Sequence, residues 1–321
     1  MKRYILSVLF GILPVLFSAA QSESDNIDFA DPAVKAICVA NWDTSGDGEL
    51  SYDEASAVTD IGTIFWNKDI TSFDELQYFT GVAKLSEGAF WGCSSLTSIT
   101  IPKSVTNIGR ILLIGCENLK SIKVDEENSS YDSRDNCNAI IETNSNRLIS
   151  GCMNTVIPNS VESIGECAFE GHSGLLSITI PNSVKAIDFG AFNSCRGLSS
   201  ITIPKSVTYI GISAFANCSG LRAIQVENGN PGYDSRNNCN AIISTNENGL
   251  IAGCMTTVIP NTVTSIDPFA FCGCTDLISI DIPNSVTRIG FLAFSDCNNI
   301  TSVTIPNSVT VIENSAFQNC I

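Results

Sequence analysis

The stretch SITIPNSVKAIDFGAFNSC, residues 177–195, recurs almost unchanged as SITIPKSVTYIGISAFANC at residues 200–218. Its Ile-Pro pair is found with the isoleucine at positions 101, 157, 180, 203, 259, 282 and 305. The steps between pairs are 56, 23, 23, 56, 23 and 23 residues, so a 33-residue unit is inserted twice into a 23-residue period. A period of this length predicts a solenoid of stacked coils.

One copy of the repeat can be interpreted residue by residue. In residues 198–203, apolar residues alternate with hydroxyl residues, which predicts a short strand with one buried face. Pro204 lacks an N–H group and ends the strand. Phe215 and Cys218 close the coil in a stretch that predicts a short helical turn. The predicted fold is therefore a mainly β solenoid with short helical turns.

Two less regular parts of the chain follow from the same register. Residues 73–85, FDELQYFTGVAKL, match the apolar positions one period earlier, which predicts a degenerate first coil; an amphipathic helix is the alternative. The inserted units, residues 125–157 and 227–259, each place two apolar runs around an Asn- and Ser-rich turn. This pattern predicts a β-hairpin that protrudes from an enlarged coil. We therefore expect the solenoid to span residues 73–321.

The N-terminus has the pattern of a secretory signal. Lys2 and Arg3 precede an apolar run that ends in small residues at Ala20, so residues 1–20 are predicted to be removed on export. A membrane anchor is the alternative, but Pro14 interrupts the run, which is shorter than the ~20 residues that a span requires. We therefore expect a secreted or cell-surface protein with no lipidation site and no transmembrane anchor.

Composition restricts the class of partner. The 321-residue chain has a formal net charge of -16 and only 17 lysines and arginines, which argues against a nucleic-acid partner. Its single histidine, His172, stands where other repeats carry cysteine, and no serine or cysteine motif supplies a nucleophile. We therefore expect no enzymatic activity. A carbohydrate-active enzyme is the less favoured alternative, because carboxylates are plentiful.

One segment outside the repeat indicates metal binding. The stretch DTSGDGELSYDE, residues 43–54, matches the 12-residue calcium loop of an EF-hand, with Gly48 at the sharp turn. The flanking sequence predicts a helix on each side, within a small helix–loop–helix module at residues 21–72. The predicted Ca²⁺ ligands are Asp43, Ser45, Asp47, Glu49 through its carbonyl, Ser51 and Glu54. A solvated acidic loop without metal is the alternative.

The fourteen cysteines fall mainly into two patterns. Seven share one repeat position and predict a buried ladder of free thiols rather than a metal or redox site: Cys93, Cys116, Cys195, Cys218, Cys274, Cys297 and Cys320. Two pairs, Cys137 with Cys152 and Cys239 with Cys254, lie symmetrically about the hairpin turns. In a secreted protein this symmetry leaves a cross-hairpin disulfide open.

The repeat phrase LTSITIPxSVTxIGxxAFxxC resembles the BspA-like leucine-rich repeats of secreted and surface proteins in anaerobic Gram-negative bacteria and some mucosal parasites. The resemblance covers residues 73–321 and departs from the pattern at Leu112, Leu113 and His172. It implies a leucine-rich-repeat solenoid, with adhesion to host matrix or to other bacteria as the associated activity. The N-terminal loop resembles the calcium motif of dockerin-like modules, but only one copy is present rather than two.

These features favour an adhesin-like binding protein that recognises an extracellular protein or glycan. A structural spacer without a ligand of its own is the alternative. The outward strand positions are mostly small hydroxyls, and larger side chains lie at the hairpin bases. We therefore predict that ligand contact concentrates where the strand face meets the hairpins, near Tyr131, Arg134, Tyr233 and Arg236. In the alternative, both tyrosines pack inward and only brace the hairpins.

Overall fold

The computed structural model describes residues 25–320 of the chain. The predicted signal peptide, residues 1–20, lies outside the described residues. Each 23-residue copy forms one coil with three sides, which we name the front, the two-residue back strand and the turn; in most coils the front is a short strand, the front strand. Equivalent residues of successive coils lie side by side, as Ile99 and Ile122 do in two front strands. The prediction of a mainly β solenoid is therefore confirmed.

Two helices precede the coils, α1 Pro32–Trp42 and α2 Tyr52–Ala57. The strands, in chain order, are β1 Ser72–Phe73, β2 Lys84–Leu85, β3 Ser98–Ile101, β4 Asn107–Ile108, β5 Ser121–Val124, β6 Tyr131–Asp132, β7 Ala139–Glu142, β8 Arg147–Gly151, β9 Ser163–Ile164, β10 Ala186–Ile187, β11 Ser200–Ile203, β12 Tyr209–Ile210, β13 Ala223–Val226, β14 Tyr233–Asp234, β15 Ala241–Ser244, β16 Gly249–Gly253, β17 Ser265–Ile266, β18 Ser279–Asp281, β19 Arg288–Ile289, β20 Ser302–Thr304 and β21 Val311–Ile312. Three short 3-10 helices cover Asp74–Tyr78, Arg134–Asn136 and Arg236–Asn238. Within residues 25–320, no helix is long and apolar enough to cross a membrane.

The front strands bury every second side chain, because successive side chains of an extended chain point to opposite faces. In β11, Ile201 and Ile203 are buried, whereas Ser200 and Thr202 are exposed. The front of the solenoid is therefore an uncovered surface in which hydroxyl groups predominate.

The turns stack aromatic rings and thiols inside the solenoid. The Phe192 ring lies 5.1 Å from Phe169 and 5.5 Å from Phe215, with interplanar angles of 7° and 4°. The Cys195 thiol donates to the Phe169 carbonyl oxygen at 3.0 Å, and Cys218 donates to the Phe192 carbonyl oxygen at 3.1 Å. The predicted ladder of buried free thiols is thus present. Each thiol satisfies a carbonyl group of the preceding coil.

The inserted hairpins do not protrude, contrary to the prediction. β7 pairs with β8 in antiparallel fashion, and β8 pairs in parallel with the back strand β9. The two hairpin strands therefore belong to the sheet formed by the stacked back strands. In the second unit, β15 and β16 join the back strands in the same way. The reason lies in β7, where Ala139, Ile140 and Ile141 are all buried. Consecutive apolar residues in a strand require cover on both faces.

Each inserted unit interrupts the front ladder. Front strands pair as β1–β3–β5, β11–β13 and β18–β20, and residues 177–180 form no strand although their sequence matches β11. In both units the chain before the Ile-Pro pair turns to the hairpin and forms no front strand: the Val156 N–H donates to the Cys137 carbonyl oxygen, and the Val258 N–H donates to the Cys239 carbonyl oxygen, each at 3.1 Å. The buried apolar residues accordingly form three core clusters, from Ile27 to Cys152, from Cys137 to Cys254 and from Cys239 to Ala316.

The cysteine pairs at the hairpins remain free thiols rather than disulfides. Cys137 belongs to the second core cluster, whereas Cys152 belongs to the first. Cys239 and Cys254 are divided in the same way between the third and second clusters. The two members of each pair therefore pack into different cores, which explains why symmetric spacing in the sequence does not produce a bond.

The first coil keeps the predicted register only in part. Leu85 in β2 lies beside Ile108 in β4, one 23-residue period away, as predicted. In the front strand, however, Phe73 lies beside Ile99, which is three residues more than one period. The 3-10 helix Asp74–Tyr78 follows Phe73 directly and accommodates this shift.

The stack of turns begins before residue 73, the predicted boundary of the solenoid. The Phe65 ring lies 5.5 Å from Phe90, and the Cys93 thiol donates to the Phe65 carbonyl oxygen at 2.9 Å. Residues of the N-terminal module, such as Val34 in α1, belong to the same core cluster as the first coils. The helix–loop–helix therefore closes the end of the solenoid rather than forming a separate core.

Candidate binding groove

A polar groove lies where the front strands β11 and β13 meet the second inserted unit. Its volume is about 480 Å³. The polar and aromatic residues that line it are Thr202, Gln225, Glu227, Asn228, Asn230, Tyr233, Asp234, Ser235, Arg236, Asn237, Asn238 and Asn240. This position is the junction between strand face and hairpin at which the sequence predicts ligand contact.

Exposed amide groups dominate the groove. Gln225 projects from β13, Asn228 from the following loop, and Asn237 and Asn238 from the segment that leads to β15; all four are exposed. Each primary amide carries two donors and one acceptor without charge. The groove is therefore suited to a neutral polar ligand more than to an ion.

Backbone geometry explains why asparagine is so frequent here. Asn237, Asn238 and Asn240 have φ values of 60°, 54° and 52°, in the left-handed region that asparagine enters more readily than other residues with a Cβ atom. Asn230 is buried, and its Nδ2 donates to two carbonyl oxygens of the preceding coil at 2.9 and 2.8 Å. The loop that forms the groove is thus held to the solenoid by its own side chains.

The two tyrosines at the hairpin bases brace the structure. The Tyr131 hydroxyl accepts the Ile108 N–H at 3.0 Å, and the Tyr233 hydroxyl accepts the Ile210 N–H at 3.0 Å. Burial raises the pKa of both phenols. Each tyrosine therefore bridges a gap between the back strand of one coil and the inserted unit. The inward-packing alternative describes them better than direct ligand contact does.

The two arginines are also engaged within the protein. Arg236 donates through Nε and Nη2 to both carboxylate oxygens of Asp234, at 2.8 Å each, and through Nη1 to Asn248 at 2.8 Å. Arg134 makes the same paired contact with Asp132 in the first unit. Because their donors are already used, these arginines position the hairpin turn. The prediction that they anchor a ligand is not supported by this geometry.

The equivalent junction in the first inserted unit carries charges instead of amides. A shift of 102 residues places Lys123, Glu126 and Asp135 at the positions of three of the exposed amides. Of the four exposed amides, the sequence pattern drew attention only to Gln225, and the three asparagines were not predicted. A position-by-position comparison of the two inserted units would have found them.

The predicted calcium loop joins α1 to α2. The carboxylate of Asp43 accepts the N–H groups of Gly46 at 2.6 Å and Gly48 at 2.9 Å. These backbone hydrogen bonds, led by that of Gly48, hold the pKa of Asp43 below its usual value. The first predicted ligand is therefore directed into the loop, and Gly48 makes the turn with a φ of 84°.

The last predicted ligand returns to the same loop. Glu54 accepts the N–H groups of Ser51 and Ser45, each at 2.9 Å, and the first of these bonds is the main cause that lowers its pKa to about 2. Asp47 accepts the N–H of Glu49 at 2.9 Å, and the Glu49 carboxylate faces outward. Within residues 25–320, no three acidic, histidine or cysteine side chains gather as a metal cluster.

An exposed aromatic pair lies near the N-terminal end of the stacked turns. The rings of Trp66 and Trp91 are 4.7 Å apart at 27°, and the residues are 48% and 37% exposed. In the next two coils, the position of Trp91 is occupied by Ile114 and Glu170. This pair was not predicted from the sequence. The sequence feature that could have indicated it is a tryptophan at a turn position whose residue differs from coil to coil.

Comparison with solved structures identifies the fold. A leucine-rich repeat protein from Eubacterium ventriosum is 24% identical, with a TM-score of 0.55, over 82% of this chain and 68% of that chain. A leucine-rich cell surface protein from Faecalibacterium prausnitzii is 26% identical, with a TM-score of 0.48, over 74% of this chain and 75% of that chain. No significant match was found among curated proteins. The first likeness supports the solenoid fold and nothing finer.

The repeats themselves identify the family. The sequence profile described as BspA type leucine rich repeat region matches six copies, over residues 59–155, 140–246 and 252–321. These ranges include the first inserted unit, the second except residues 247–251, and the coils between them, whereas the calcium loop lies outside them. The repeat architecture and this match together show that the chain belongs to the BspA type leucine-rich-repeat family.

Proposed function

We propose that the protein is an exported, non-enzymatic binding protein that recognises an extracellular protein or glycan. The groove beside the second inserted unit is the proposed contact site. The observation that carries this proposal is the row of exposed amides next to an uncovered front face. Amide groups can hydrogen-bond the hydroxyls of a glycan or the backbone of an extended protein segment.

The groove is also expected to bind through many moderate contacts. Large aromatic and arginine anchors dominate most tight interfaces. Here the tyrosine and the arginine of the groove already serve the fold. Affinity must therefore come from several hydrogen bonds at once, which suits an extended ligand lying along the front strands.

Exchange of residues between the two units tests this proposal. The variants Gln225→Lys and Asn237→Asp each insert the residue that the first unit already holds, so both should fold. Against a ligand found on a glycan and matrix-protein array, each should weaken binding by about tenfold, since at least one hydrogen bond is lost. Thr304→Glu, on β20 and outside the groove, is the control.

The outcomes separate the candidate functions. Full-strength binding by both folded groove variants would move the site elsewhere on the molecule. If no ligand is found on a broad array, the structural spacer becomes the better interpretation. Turnover in a screen of glycoside substrates would contradict the non-enzymatic proposal.

We further propose that the loop at residues 43–54 binds one Ca²⁺ ion. The supporting observation is that the carboxylates of Asp43 and Glu54, from opposite ends of the loop, both point at the backbone of its interior. The oxygen ligands available are of the type that calcium prefers. Binding requires Glu54 to exchange backbone N–H partners for the metal, so we expect weak affinity, about 10⁻⁴–10⁻³ M.

Titration calorimetry with calcium tests the loop directly. Glu54→Gln should abolish the binding heat, because the amide loses one ligand oxygen and the charge while its length still supports the helix cap. Glu49→Gln is the matched control, since its side chain faces Lys35 and only its carbonyl is a predicted ligand. The absence of heat from millimolar calcium, or an unchanged response in Glu54→Gln, would contradict the proposal.

A further inference from the structure

A second cavity lies on the turn side of the first inserted unit, away from the groove. It is bounded by the turn after β4, by β8 and by the turn after β9, and its volume is about 230 Å³. At ~30 Å³ per water molecule, this volume corresponds to seven or eight waters, which is the size of one sugar ring. Leu112 and Ile149 contribute apolar surface to its lining, and Arg110, Glu142, Arg147 and Glu166 contribute charged side chains.

The two blocks of the solenoid differ at this cavity. A shift of 102 residues places Ile212, Ser244, Gly249 and Pro268 at the positions of Arg110, Glu142, Arg147 and Glu166. All four charged side chains that line the first-block cavity are thus replaced by uncharged residues in the second block. Repeat geometry alone does not require them, because the same hairpin forms without them.

The charges of the cavity are largely matched among themselves. Arg110 lies 3.3 Å from Glu166, and Arg147 lies 2.7 Å from Asp188. The Nε atom of Arg147 is nevertheless buried and has no acceptor within the described residues. Because this atom has no accessible surface, a ligand can reach Arg147 only through its Nη atoms; the side chain as a whole is 38% exposed. A neutral ligand with oxygen acceptors fits these walls better than an ion.

Gly88 lies between Trp91 and Ile111, a residue that lines the cavity. A methyl group built on Gly88 would lie 3.6 Å from Cβ of Trp91 and 3.8 Å from Cδ1 of Ile111, and Ile111 lines the cavity. Trp91 and its stacked partner Trp66 are exposed. Aromatic rings provide a rigid apolar surface, which complements the C–H face of a pyranose ring.

We propose that this cavity binds one neutral sugar residue. The sugar is either a free monosaccharide or the terminal residue of a glycan whose next residue lies over Trp91. Arg147 donates hydrogen bonds to its hydroxyl oxygens, and Glu142 accepts hydrogen bonds from its hydroxyl groups. The apolar residues of the cavity pack against its ring. This site is independent of the groove, so loss of one does not affect the other.

Saturation-transfer NMR tests the proposal on the full exported chain. The probes are the methyl glycosides of glucose, galactose, mannose and N-acetylglucosamine, together with sialic acid as an anionic sugar. At least one neutral glycoside should receive saturation from the protein. Arg147→Gly and Glu142→Ser, which insert the second-block residues, should each weaken its binding by about tenfold or more. Arg196→Asn is the control: it also inserts the residue of the second block, Asn298, but at an exposed site outside the cavity, and it should not change binding.

A second comparison distinguishes a free monosaccharide from the terminal residue of a glycan. If Trp91→Ala weakens binding of an oligosaccharide more than that of the matching monosaccharide, the ligand is a glycan terminus; an equal effect identifies a free sugar. The proposal is overturned if no neutral glycoside receives saturation, if only sialic acid binds, or if both cavity variants bind normally. Circular dichroism verifies that each variant is folded, and either cavity variant suffices for the test.

Discussion

His172 provides a direct test of the thiol ladder, because it stands at the turn position where seven coils carry cysteine. The side chain is buried, and its Nδ1 has no partner within the described residues. Burial lowers the pKa of the imidazole from 6.5 to about 4, and a backbone contact with Cys116 opposes the shift only in part. The folded protein therefore holds this histidine neutral at a pH where the unfolded chain binds a proton.

The sign of the resulting pH dependence follows from this difference. The contribution of His172 to stability is fully present above pH 6.5 and is lost as the pH falls toward 4, because only the unfolded state gains a proton in that range. By pH ~4.5 the loss amounts to about 2.5 kcal/mol in the free energy of unfolding. No other imidazole contributes, since His172 is the only histidine in the chain.

The variant His172→Cys restores the residue that the other coils carry. At neutral pH its free energy of unfolding should lie within about 2 kcal/mol of the wild type, because relief of the unpaired nitrogen is offset by the smaller volume of cysteine. At pH ~4.5 the variant should be more stable than the wild type by an additional ~2.5 kcal/mol. Urea denaturation followed by circular dichroism at both pH values measures this change.

An equal loss of stability in both proteins between these pH values would refute the reasoning. An imidazole NMR titration of the folded wild type with a midpoint near the ordinary value of ~6.5 would refute it independently.

Three further predictions concern the core. Phe192→Ala should lower the free energy of unfolding by about 3–5 kcal/mol, and Phe317→Ala, at the last coil and half-buried, should cost less in the same denaturation assay. Tyr233→Phe should cost about 1–3 kcal/mol and accelerate amide exchange at Ile210, because that N–H loses its acceptor; unchanged exchange would contradict the bracing role. Cys218 should resist alkylation until the protein unfolds, and rapid labelling of the native protein, detected by mass spectrometry, would show the ladder to be open.

The periodic part of the structure could be predicted because every coil repeats the same environment. Phe192 and Phe215 occupy equivalent interior positions in successive coils, as do Cys195 and Cys218, so the repeat alone indicated that all four are buried. The hairpins could not be placed as reliably. An apolar run such as Ala139–Ile141 is compatible with a protruding hairpin until the neighbouring layers are known. The three-residue shift at Asp74–Tyr78 also lies outside any period.

The binding groove shows the same division. The outward side chains favoured ligand contact at the strand–hairpin junction, where this candidate groove lies, but they did not indicate the chemistry of its lining. Tyr233 and Arg236 stood out by size and charge, yet their partners Ile210 and Asp234 commit them to the fold. The smaller Asn237 is exposed and has a left-handed backbone, and neither property is visible in a single copy of the motif.

The division of the interior into three clusters has a mechanical consequence. Where a front ladder ends and a new cluster begins, fewer bonds join neighbouring coils, so force applied along the chain should open the molecule there first. A block of 102 residues releases a contour of about 350 Å at ~3.4 Å per residue. Load along the chain would therefore lengthen the molecule in discrete steps, and the middle cluster, which begins at Cys137 and is followed 102 residues later by the cluster that begins at Cys239, would give the step of this size.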